Sequence, residues 1–132
     1  MPERLSSLFR FDLSGKTVTD TMTVAQAIDI MSERHANCFL VQAEGGRAVG
    51  VLSEHDIVTA FAFYKEKARE TKIRDIMTID IFAAGENDTL DEALKVMADN
   101  NIRHLPVLSE YGNILDFLSI TDIIAKKNEM YG

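Results

Sequence analysis

The 132-residue chain has one cysteine, Cys38, two prolines and no tryptophan. A single thiol excludes an intramolecular disulfide, so packing alone must hold the fold, and a reducing compartment is expected. Basic residues are in the minority: 14 Lys and Arg against 21 Asp and Glu leave a net charge of −7. That balance argues against a general nucleic-acid surface, which needs concentrated cations for phosphate. The densest basic stretch, residues 65–74, is interrupted by Glu66 and Glu70 and reads as a solvated helix face. No apolar run approaches the roughly 18 residues a spanning helix requires. The opening "MPERLSSLFRFDLSG" has no long apolar core of the leader type. The expectation is a soluble cytoplasmic protein without nucleic-acid or membrane partners. His35, His55 and His104 follow no metal-ligand spacing, so no metal is expected. Phosphate-loop, HExxH and Ser-His-Asp signatures are missing too, so no catalysis is expected.

What the chain does contain is a repeat. Shifted by 66 positions, residues 23–58 align with 89–124 without a gap, and ten of the 36 pairs are identical. Thr23/Thr89, Met31/Met97, Gly46/Gly112, Ser53/Ser119 and Asp56/Asp122 are among them. Chance would give roughly two, so the chain reads as an internal duplication.

Each copy carries the same succession of signals. "TVAQAIDIMSERH" and "TLDEALKVMADNN" have the apolar spacing of one helical face, and both open as capping boxes, Thr23 with Gln26 and Thr89 with Glu92. "CFLVQA" and "HLPVLS" read as short strands, followed by the glycine turns "EGGR" and "EYGN". Second strands, "AVGVLS" and "ILDFLS", then run into second helices at Ser53 and Ser119. The outline is α/β (α+β), β-α-β-β-α twice. A strand preceding the first helix can be read two ways in the first copy. Either it is absent, with "VTDTM" of residues 18–22 matching "IRDIM" of 73–77, or Lys16 and Val18 take the places of Phe82 and Ala84.

Two tandem units of this kind, each with an apolar run, Ser-x-x-Asp and a helix, resemble a pair of CBS domains (cystathionine-β-synthase-type). The supporting pieces are Ile73 to Met77, the T-L-x-E-A helix start, the h-P-V strand and the S-x-T-D junction. The likeness runs from about residue 16 to 127. It implies an N-terminal extension (1–15), a first CBS repeat (16–70), a second (71–128) and a short tail (129–132), the two repeats packed as a pseudo-twofold CBS pair.

The resemblance also implies a ligand: an adenosyl compound such as AMP, ADP, ATP or S-adenosylmethionine, held in the cleft between repeats, with no cofactor required. One site would be built on Ser53, His55 and Asp56, with Asp80, Phe82, Ala84, Ile102, His104 and Pro106 from the other repeat. A second would combine Ser119, Thr121 and Asp122 with Lys16, Val18 and Arg103. Asp56 and Asp122 would accept ribose hydroxyls, and helix N-termini would favour phosphate. The Asp56 junction follows the pattern more fully, since Asp116 stands where the first copy has Gly50. Read on its own, Ser-x-x-Asp before an apolar run is simply a capping box.

In "IVTAFAFYKEKARE", Phe61, Phe63 and Tyr64 lie too close together to share one small core. A partner surface is expected, and the resemblance implies a homodimer through such helices. The expected function is a regulatory ligand-binding module signalling to an effector protein. The alternative is a structural, dimerising module with an empty cleft.

Overall fold

The structure is a computed structural model that describes residues 3–9 and 13–131. Two compact units make up the chain: Ser14–Ile81, and Met1–Leu13 together with Phe82–Gly132.

The Ser14–Ile81 unit contains β1 (Thr17–Thr19), α1 (Val24–Arg34), β2 (Cys38–Gln42), β3 (Ala48–Ser53) and α2 (Glu54–Tyr64). β1 pairs parallel to β2, with Val18 opposite Val41, and β2 pairs antiparallel to β3, with Leu40 opposite Val51. The helix α1 makes the crossover that a parallel pair requires. The anticipated cap is present: Thr23 Oγ1 accepts from the Gln26 amide, and Gln26 Oε1 accepts from the Thr23 amide. The turn after β2 uses Gly45 at φ 88° and Gly46 at φ 84°, left-handed conformations that glycine adopts without a Cβ penalty. Val18, Ala27, Phe39, Val41, Leu52 and Ile73 form the core.

The other unit repeats this order with β4 (Ala84–Gly85), α3 (Leu90–Asn100), β5 (His104–Leu108), β6 (Ile114–Ser119) and α4 (Ile120–Tyr131). β4 is parallel to β5, with Ala84 opposite Val107. Val18 and Ala84 thus pair with residues that are themselves 66 apart. The first copy therefore has its leading strand, and Lys16 and Val18 occupy the positions of Phe82 and Ala84. The core here is Leu5, Ala84, Leu90, Ala93, Met97, Leu105, Val107, Leu118 and Ile123.

The compact units do not divide where the sequence repeats do. Ile73, at the start of the second sequence repeat, is fully buried in the core of the first unit. Leu5, from the N-terminal extension, is fully buried in the core of the second. Helix N-termini supply the reason, because first-turn amides have no partner inside the helix. The Val24 amide at the start of α1 donates to the Thr71 carbonyl at 2.8 Å, and the Ile73 amide returns a bond to the Met22 carbonyl at 2.8 Å. At α3 the same exchange is made by the N-terminal segment: the Leu90 amide donates to the Glu3 carbonyl at 3.2 Å and the Leu5 amide to the Asp88 carbonyl at 2.9 Å. Each helix start recruits one extended segment and, with it, one buried aliphatic side chain.

Candidate functional site

The two Ser-x-x-Asp junctions are the natural starting points. β3 delivers Ser53 in an extended conformation, φ −121° and ψ 169°, as the N-cap of α2. Its amide donates to Asp56 Oδ2 at 2.9 Å and its hydroxyl contacts the same oxygen at 3.2 Å, while the Asp56 amide donates to Ser53 Oγ at 3.4 Å. The other carboxylate oxygen, Oδ1, accepts from the Thr78 hydroxyl at 3.0 Å. Both oxygens of the half-buried Asp56 are thereby fixed in direction.

Thr78 is held by its backbone. Its amide and carbonyl exchange two 2.9 Å bonds with Val51. This segment passes so close over β3 that a Cβ at Gly50 would lie 2.8 Å from both Met77 Sδ and the Thr78 carbonyl oxygen. Glycine at position 50 is a requirement of that close approach. Sequence pattern does not mark Thr78 as a site residue. Its partner is 22 residues away in sequence, beyond the reach of any local spacing.

At the second junction the Ser119 amide donates to Asp122 Oδ2 at 2.9 Å and the Asp122 amide to Ser119 Oγ at 3.1 Å. Asp122 and Thr121 are exposed. Asp116, the counterpart of Gly50, is the one buried charged side chain among the described residues, and its Oδ1 accepts from the Phe117 amide at 2.7 Å.

Each junction also faces a different polarizable group. In β2, Cys38 lies opposite Ser53. Burial, aided by the Asp56 carboxylate, pushes its thiol up to about 12. It is a protonated thiol at neutral pH and no nucleophile. In β5, His104 lies opposite Ser119 and its ring stacks on Phe117 at a centroid distance of 5.3 Å. Burial lowers the His104 pKa, and the Asp122 carboxylate opposes that shift. The resemblance assigns His104 to the Asp56 site; the structure sets it in register with Ser119.

The other expected site residues fall as follows. His55, Asp80 and Phe82 are exposed, Ile102 is half-buried, and Ala84 and Pro106 are buried. Lys16 is half-buried, with its carbonyl accepting from the Leu40 amide at 2.9 Å. Val18 is buried in its core and Arg103 is exposed. First-turn amides at both junctions are partly committed within the chain: Glu54 donates to the Asn37 carbonyl at 3.1 Å and Ile120 to the Arg103 carbonyl at 2.7 Å. What each junction offers most directly is therefore an oriented carboxylate acceptor. Among the described residues no group of three or more His, Cys, Asp or Glu gathers to hold a metal ion, and no helix is long and apolar enough to cross a membrane.

Comparison with known proteins matches this architecture. A 17.7 kDa protein of Acidianus ambivalens is 29% identical over 80% of this chain, which spans 63% of that relative's length. The CBS domain pair of protein MJ0100, solved with 5′-methylthioadenosine and S-adenosyl-L-methionine, superposes with a TM-score of 0.83 at 21% identity, covering 98% of this chain and 99% of that one. CBSX2, solved in complex with AMP, superposes at 0.85 with 18% identity and the same coverage. The model of the CBS domain matches residues 16–62 and again 73–129. With two tandem copies that together span most of its length, the chain belongs to the CBS-domain family.

Proposed function

We propose that the chain is a regulatory ligand-binding module that takes an adenosine nucleotide or a related adenosyl compound, AMP, ADP, ATP or S-adenosylmethionine, and signals to a partner protein. The observation that carries this reading is the Asp56 carboxylate, held at the start of α2 with both oxygens oriented by Ser53 and Thr78. An acceptor so fixed suits the hydroxyls of a sugar, because little ordering is left to be done on binding. Two CBS pairs of the same fold are solved with adenosyl ligands, which supports that ligand class here. The residues that the family resemblance sets around Asp56 and Asp122 form the proposed contact set. The module itself performs no catalysis in this reading, and its compartment is the cytoplasm.

Dimerisation through α2 belongs to the same proposal. Val58, Phe61, Phe63 and Tyr64 of that helix are all exposed, Phe63 at 78%. A second copy of the chain is the proposed cover, and light scattering on the purified protein would read its mass.

A second reading is favoured by one specific observation: both junction carboxylates already serve as helix caps. On that reading the chain is a structural, dimerising module without a ligand. Calorimetric titration with AMP, ATP and S-adenosylmethionine separates the two. Binding that Asp56→Ala weakens by about 1.5–3 kcal/mol, the scale of charged hydrogen bonds, supports the sensor. No binding of any of the three supports the scaffold.

A further inference from the structure

We propose that Thr78 is a positioning residue that makes the Asp56 junction selective for a sugar bearing a free 2′- or 3′-hydroxyl. The inference rests on the adenosyl-binding reading above and concerns the same site. A carboxylate offers about four lone-pair directions. The Ser53 amide and hydroxyl take two, both on Oδ2, and the Thr78 hydroxyl takes one on Oδ1. The remaining acceptor direction is on Oδ1, the oxygen that accepts directly from Thr78. A sugar hydroxyl therefore has one defined line of approach, and Thr78 defines it.

Thr78 does not depend on a ligand for its own place. Two backbone bonds tie it to Val51, and Gly50 admits the segment at van der Waals distance. Its side chain is exposed, so removing the hydroxyl empties no core. Asp122 makes the useful contrast: it accepts from the Ser119 amide, and among the described residues no hydroxyl from a neighbouring segment reaches it.

The test is calorimetric titration of the whole chain with AMP and with 2′,3′-dideoxyAMP, using wild type, Thr78→Val and Thr78→Ser. Wild type should prefer AMP. Thr78→Val should bind AMP about fivefold to tenfold more weakly, the loss of one hydrogen bond's orientation, and bind the dideoxy compound as before. The preference then collapses, and Thr78→Ser restores it. A general loosening of the unit would weaken both ligands alike, so an unchanged preference in Thr78→Val overturns the inference. Tighter AMP binding by Thr78→Val overturns it as well, since Thr78 would then be competing with the sugar. Failure of the wild type to bind any adenosyl compound brings down the parent reading; binding that depends on Asp56 but ignores Thr78 brings down this inference alone.

Discussion

The Asp56 and Asp122 junctions share a backbone design and differ in almost everything around it. At the first, glycine lets a neighbouring segment close over the sheet, and Thr78 from that segment locks the carboxylate. At the second, a buried aspartate replaces the glycine and the junction carboxylate is exposed. Opposite the first lies a thiol, opposite the second a half-buried imidazole. Duplication preserved what holds each helix start in place, the Ser-x-x-Asp cap. It left free to diverge the groups that set the chemistry beside the cap. The first junction is consequently the more ordered acceptor, and the second the one with a half-buried imidazole set opposite its serine.

The sharpest way to test the equivalence of the units is to empty matching places in their cores. Ile73 and Leu5 enter by the same pair of backbone bonds and are both fully buried. Ile73→Ala and Leu5→Ala should each cost about 2–5 kcal/mol in urea unfolding, as deleted aliphatic side chains in a packed core do. A nearly neutral Leu5→Ala would show that the N-terminal segment is no part of its unit's core. Next in size is the difference between the junctions themselves. Gly50→Ala sets a Cβ against a backbone carbonyl, which cannot swing aside as a side chain can. A destabilisation of about 1–3 kcal/mol is expected, and the hydrogen bond from Thr78 to Asp56 should break in the same step. A neutral Gly50→Ala would mean the crossing segment is not held where the structure has it.

How legible this was in the sequence depends on distance along the chain. The capping boxes of Thr23 and Thr89 join residues three apart, and the sequence announces both partners. The hairpin turns are equally local, with Gly45, Gly46 and Gly112 at positive φ where the turn pattern asks for glycine. The leading strands are ambiguous in sequence because β1 has three residues and β4 has two, too few for alternation to register. Only pairing to β2 and β5 fixes them. The docking of Leu5 on Asp88 and the bond from Thr78 to Asp56 are invisible in sequence for a different reason: they join segments far apart along the chain, and no spacing rule spans them. The repeat itself locates the two junction carboxylates, and the tertiary fold supplies what orients one of them. Phe61, Phe63 and Tyr64, too crowded for one core on sequence grounds, are exposed in the structure at 38%, 78% and 48%.

The smallest expected effect tests the electrostatic half of the comparison. Burial lowers the His104 pKa below the ordinary imidazole value of about 6.5, with the Asp122 carboxylate opposing. The folded state then binds the proton less readily than the unfolded chain does. The resulting stability is fully present above the unfolded value and declines as pH falls through it toward the lower folded value. Thermal midpoints measured from pH 7.5 down to pH 5 should therefore fall more steeply for the wild type than for His104→Gln, which cannot take up the proton. Asp122→Asn should steepen the wild-type decline, because it removes the carboxylate that favours the charged ring. If His104→Gln reproduces the wild-type slope, the pH response belongs to other groups and the two junctions differ in geometry alone.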